Sequence, residues 1–92
     1  SIKIPDSVIS IGNDAFYNCL SLESITIPDS VTRIENVAFV WCESLGSITI
    51  PDSVTSMGCN AFDGCANVTI CAPSGSYAIV YAKDNGIKCK EI

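Results

Sequence analysis

The sequence predicts a repeat solenoid, a chain wound into stacked near-identical coils and finished by a different closing unit. Three observations carry that prediction. Ile4-Pro5-Asp6-Ser7-Val8 recurs as Ile27-Pro28-Asp29-Ser30-Val31 and as Ile50-Pro51-Asp52-Ser53-Val54. Ala15-Phe16 recurs as Ala38-Phe39 and Ala61-Phe62, while Cys19 recurs as Cys42 and Cys65, always 23 residues on. Of the 92 residues, 48% are hydrophobic and only 16% charged, against a charged share of roughly 25% in ordinary domains. So short a chain has little volume for one central core. Stacked coils bury the apolar material against their neighbours instead.

Within a coil, the first element is a short strand. In Leu22-x-x-Ile25-x-Ile27 and Leu45-x-x-Ile48-x-Ile50 the isoleucines alternate and point inward. Pro28 and Pro51 end the strand, because proline has no N–H for a ladder. Asp-Ser after each proline is turn chemistry. Val31 and Ile34, matched by Val8/Ile11 and Val54/Met57, form the next inward pair on a second extended segment. Gly12 and Gly58 follow, at a position expected to favour a positive φ. Glu35 replaces that glycine in the middle coil, a local misfit. The Ala-Phe-x-x-Cys stretch is a turn or single helical turn that carries Phe and Cys into the core. Coils stacked about 4.8 Å apart would place Phe16, Phe39 and Phe62 in an aromatic ladder, offset-stacked or edge-to-face.

After Cys65 the pattern breaks. Cys42 to Pro51 spans 9 residues, and Cys65 to Pro73 spans 8. Asn67 to Cys71 still reads as a strand, and Pro73-Ser74-Gly75 as a turn. Ser76 is an N-cap for a helix over Tyr77 to Asn85, with Ala78, Tyr81 and Ala82 at helical spacing. Gly86 stops it, and Ile87-Lys88-Cys89-Lys90 alternates as a final strand. The predicted organisation is about three coils over residues 1–70 and a strand-helix-strand cap over residues 71–92. The chain opens in mid-pattern at Ser1-Ile2-Lys3 without a Met, so it reads as a fragment whose C-terminus is native. A first coil without a neighbour exposes unpaired apolar edges. End-to-end self-association through this truncated N-terminal coil is therefore expected.

Charge and composition remove several function classes. Five Lys+Arg against ten Asp+Glu and no His give a net charge of −5, which repels phosphate backbones, so no nucleic acid partner is expected. No apolar run approaches the roughly 20 residues of a membrane helix, and no signal peptide is written at the start. Without His, a Ser or Cys nucleophile lacks its usual base. Zinc has neither a His nor a CxxC pair. Cys19, Cys42 and Cys65 read as small buried hydrophobes. Cys59, Cys71 and Cys89 fall outside that ladder, and Cys71 and Cys89 are either free thiols or a bridge between strand and cap. Asp6, Asp29 and Asp52 read as solvated turn residues rather than Ca²⁺ ligands. Asn67-Val68-Thr69 matches a glycosylation sequon placed in a strand. No cofactor, metal or catalytic residue is expected.

A 23-residue period lies within the 20–29 range of leucine-rich repeats. The consensus IPDSVTxIGxxAFxxCxxLxxIxIP closely resembles the BspA-like (Treponema-type) leucine-rich repeats of bacterial and protozoan surface proteins. Residues 1 to about 70 match it, and Ser74 to Ile87 resembles the cap often found there. Departures are Glu35 for Gly, Cys59 for Asn, and Val40-Trp41 for small polar residues. The resemblance implies a right-handed leucine-rich-repeat solenoid (a β/α superhelix) at the cell surface or secreted. It implies adhesion to an extracellular or host surface protein, and neither catalysis nor a cofactor.

Two surfaces could carry recognition. In such a solenoid the outward positions Ser1/Lys3, Ser24/Thr26 and Ser47/Thr49 line a concave sheet suited to an extended partner. The same residues are also what a tight parallel sheet favours. Trp41, Val40 and the equivalent Tyr17 are expected to face solvent, since Asp63 and Gly64 stand there in the third coil. Trp41 and Tyr17 then act as interface anchors or pack against a neighbouring coil or domain. The function expected is a non-catalytic protein-binding and adhesion module; the alternative is a structural spacer or solenoid-terminating cap that positions other domains.

Overall fold

The computed structural model describes residues 3–13 and 15–92. Ser1, and with it the first member of the outward Ser row, lies outside the described residues. The chain is a β-solenoid of about four turns built from stacked parallel strands. Strands β1 (Ser10–Ile11), β3 (Arg33–Ile34) and β5 (Ser56–Met57) form one three-stranded sheet. Strands β2 (Ser24–Thr26), β4 (Ser47–Thr49), β6 (Thr69–Ala72) and β7 (Lys88–Glu91) form a second, four-stranded sheet. Helix α1 (Tyr77–Asp84) connects β6 to β7. The alternation of Ile25, Ile48 and Ile70 with hydroxyl residues sends the isoleucines inward, where all three are buried.

The third side of each coil is a ladder of turns. The Phe16 amide donates to the Ala38 carbonyl at 2.8 Å and Asn18 to Val40 at 2.8 Å; one coil on, Phe39 donates to Ala61 and Trp41 to Asp63, both at 2.8 Å. Within each turn the Cys amide donates back to the Phe carbonyl, 3.3 Å for Cys42 to Phe39. The phenylalanines stack as near-parallel rings, with centroids 5.0 Å apart for Phe16–Phe39 and 5.3 Å for Phe39–Phe62. Beside them the Cys42 thiol donates to the Phe16 carbonyl and Cys65 to Phe39, each at 2.9 Å. Burial pushes the Cys42 thiol from its ordinary 9.0 up to about 11, and Cys65 is raised for the same reason. Both stay protonated donors at neutral pH. Cys42 and Cys65 are buried as expected, but Cys19 is only half-buried.

Neither Gly12 nor Gly58 has a positive φ. The left-handed residues are instead Val37 and Asn60 at one repeat position and Asn18, Trp41 and Gly64 at another. Gly58 is required by close approach: a Cβ there would lie 2.2 Å from the Asn36 side-chain oxygen and 2.4 Å from its backbone nitrogen. That oxygen accepts the Cys59 amide at 2.9 Å, which holds Asn36 against the glycine. Val40 does not face solvent; it is buried, in the ladder position between Tyr17 and Asp63. Cys71 and Cys89 are both free. Their strands pair with Ile70 opposite Cys89 and Cys71 opposite Lys90, so the two thiols lie on opposite faces of the sheet.

The shortened spacing is absorbed at one point. Phe39 and Phe62 keep the 23-residue offset, but β4 pairs with β6 at 22, with Ile48 opposite Ile70. Leu45-x-x-Ile48 has become Val68-x-Ile70, so the residue is lost between the turn and the strand, and Ile70 still points inward. Helix α1 begins where the Ser76 hydroxyl accepts the Ile79 amide at 3.5 Å. It ends at Asn85, followed by Gly86 at φ 69. Ala78, Ile79 and Ala82 are its buried face.

Candidate functional site

The site is assembled from the strand residues that do not point inward. Ser24 is paired with Ser47 and Thr26 with Thr49 across β2 and β4, so their side chains form two hydroxyl rows on the outer face of the four-stranded sheet. Ser24 and Thr26 are exposed, Ser47 and Thr49 partly so. The register carries both rows further than expected. Ser47 stands opposite Thr69 and Thr49 opposite Cys71, and these stand opposite Lys88 and Lys90. One row is therefore Ser24, Ser47, Thr69, Lys88; the other is Thr26, Thr49, Cys71, Lys90.

Lys3 stands one repeat before Thr26, is exposed, and lines a groove with Thr26, Asp6 and Asp29. At about 4.8 Å per strand the second row runs roughly 19 Å from Lys3 to Lys90. No carboxylate occupies a described position of either row. Thr69, Cys71, Lys88 and Lys90 were missed because the one-residue loss and the intervening helix hide their register. Alternation at Thr69-x-Cys71 and Lys88-x-Lys90 is the signal that could have found them.

Tyr17 and Trp41 are not on this sheet. Both are about half exposed and belong to the turn ladder, at adjacent repeat positions. Trp41 holds a left-handed φ of 64, and its indole lies across Gly64 of the next coil. A Cβ at Gly64 would come within 2.6 Å of that ring, so the glycine makes room for the tryptophan. The sequence-predicted residues thus divide into a polar sheet face and a separate aromatic patch. Coil one also exposes Ile9 and Leu20, at positions carrying Thr32/Thr55 and Glu43/Ala66 in the coils that follow.

What this arrangement offers chemically is hydrogen bonding and charge. Among the described residues no three metal-ligating side chains cluster, and the grooves beside Lys3, Phe62 and Tyr77 are partly open to solvent. No described helix is long and apolar enough to cross a membrane.

Residues 1–82 match the family model described as BspA type Leucine rich repeat region (6 copies). No curated protein and no solved structure matches the chain.

Proposed function

The chain belongs to the BspA-type leucine-rich-repeat family, and on that premise we propose that it is a non-catalytic protein-binding module used for adhesion by a secreted or cell-surface protein. A solenoid of this family is typically an interaction scaffold and typically surface-associated. The observation that supports binding most directly is the pair of in-register hydroxyl rows on the outer face of β2 and β4, continued by Thr69 and Cys71 on β6 and by lysines on β7. An extended partner laid on such a face meets donors and acceptors at regular intervals, with no inward rearrangement of the coil. Lys3, Ser24, Thr26, Ser47 and Thr49 are its contact residues in this reading, and Tyr17 and Trp41 form an accessory aromatic contact. The partner is an extracellular or host surface protein.

The test is binding of the purified chain to a panel of immobilised extracellular matrix proteins. Thr26→Glu/Thr49→Glu is expected to keep the wild-type circular dichroism, to melt somewhat lower because the two carboxylates stand opposite each other, and to lose binding. Trp41→Ala is expected to weaken it. Binding that survives the double substitution would remove the sheet face from the proposal.

A structural role, with the chain ending a solenoid and positioning other domains, has one observation in its favour. Tyr77 accepts the Met57 amide of β5 at 3.3 Å, where a further coil would otherwise pair, and Tyr81 donates to the carbonyl of the following Gly58 at 2.8 Å. In that reading no matrix protein binds, with or without the substitutions. The exposed apolar residues of coil one, Ile9, Tyr17 and Leu20, also support end-to-end self-association through that coil, read by sedimentation as a mass that rises with concentration.

A further inference from the structure

The lysines of the outer face are distributed in a way that bears on the partner. Of five Lys+Arg in a chain of net charge −5, three (Lys3, Lys88 and Lys90) belong to the two outward rows or extend them. Lys88 and Lys90 lie two residues apart on the outermost strand, on the same face as Thr69 and Cys71, and both are exposed. Among the described residues the ion pair is Arg33–Glu35; neither Lys88 nor Lys90 has a carboxylate partner. Carboxylates instead border the face, with Glu23 leading into β2, Asp29 and Asp52 in the turns beyond the prolines, and Glu91 at the end of β7. The result is a strip of hydroxyls and one thiol with no carboxylate in its described rows, ending in the two lysines of β7.

Resting on the sheet-face reading above, we infer that the partner of this face is an extended peptide segment that carries carboxylates, placed over Lys88 and Lys90. Alternate side chains of an extended chain are roughly 6.4–6.8 Å apart, which is also the spacing of Lys88 and Lys90 along β7. Two carboxylates at i and i+2 therefore meet both ammonium groups. Beyond the second carboxylate the segment turns off the β7 direction, and its polar remainder crosses Thr69 and Cys71 toward Ser47 and Thr49. A long uniform polyanion running on along β7 meets Glu91 directly after Lys90, and one spreading off the strip meets Glu23, Asp29 or Asp52. That favours a short acidic peptide over a sulfated polysaccharide.

The whole chain is panned against a displayed library of random 12-residue peptides, with heparin as a parallel probe. Selected peptides are expected to contain Asp or Glu at i and i+2. Their affinity is expected to fall about tenfold or more in Lys88→Glu/Lys90→Glu, to persist in Lys88→Arg/Lys90→Arg, and to weaken with added salt. Thr49→Tyr, which fills the strip without changing charge, is expected to abolish binding. Non-acidic peptides that lose binding in Thr49→Tyr but not in Lys88→Glu/Lys90→Glu overturn this inference and leave the sheet-face reading standing. Peptides indifferent to Thr49→Tyr overturn both. Heparin binding that depends on Lys88 and Lys90, with no acidic peptide selected, also overturns it.

Discussion

At the upstream end of the stack Phe16 and Cys19 are half-buried, whereas at the downstream end the equivalent Phe62 and Cys65 are buried. The coils carry the same residues at these positions, so the difference comes from what lies beyond them. Tyr81 and Ile87 pack against the downstream core, and they line one groove with Phe62 and Cys65. Nothing among the described residues covers Phe16 on its upstream side. Hydrogen bonding follows the same division. Cys42 and Cys65 each donate to a phenylalanine carbonyl one coil back; Cys19 has no described coil behind it. A repeat residue contributes according to its neighbours on both sides, as expected for a one-dimensional stack.

The largest test of that comparison is the phenylalanine ladder. Phe39 is fully buried between two parallel rings, and Phe39→Ala is expected to cost about 3–5 kcal/mol. Phe16 has one stacking partner and remains partly exposed. Phe16→Ala is expected to cost clearly less, about 1.5–3 kcal/mol. Urea unfolding of the two variants at one temperature reads the difference. Equal costs would mean that the upstream ring is covered in solution, by a second copy or another segment.

The same contrast can be read at a single repeat position. A Cβ at Gly58 would run into the backbone and side chain of Asn36, while a Cβ at Gly12 meets nothing within 4 Å. Gly58→Ala is therefore expected to destabilise by about 1–3 kcal/mol. Gly12→Ala, with no positive φ to strain it, is expected to be neutral or to stabilise by a few tenths to about 1 kcal/mol through the unfolded chain. Melting temperatures of the two single variants decide it. A destabilised Gly12→Ala would indicate that something occupies the upstream side of coil one.

These glycines also show where sequence reasoning stopped. The repeat registers made the coil, its inward isoleucines and the phenylalanine ladder legible, because periodic burial is written directly in residue type. Gly58 looked like a conformational glycine, but its cause is a cross-coil approach that no local pattern records. The left-handed position was hidden for a related reason. Asn18 and Gly64 suit a positive φ, but Trp41 stands there in the middle coil, held over Gly64. For the candidate face, the hydroxyl rows on β2 and β4 were readable. Their extension to Lys88 and Lys90 was not, because it depends on the 22-residue register of β6 and on a helix that returns the chain to the same sheet.

The smallest effect tests how the downstream end is closed. The Tyr81 hydroxyl donates to the Gly58 carbonyl at 2.8 Å and the Tyr77 hydroxyl accepts the Met57 amide at 3.3 Å. Tyr77 thus partners a strand amide that the interior sheet gives to another strand, and Tyr81 ties the carbonyl just beyond β5 to the cap helix. Tyr81→Phe keeps the ring and removes one such bond, so it is expected to cost about 0.5–1.5 kcal/mol. The same hydroxyl adds a pH signature. Burial raises the folded Tyr81 phenol above its ordinary 10.0, so its contribution is complete below that value and is lost as pH rises through the folded one. Wild type is therefore expected to lose more stability above pH 10 than Tyr81→Phe does. If the two alkaline profiles run parallel, Tyr81 does not close this edge through its hydroxyl.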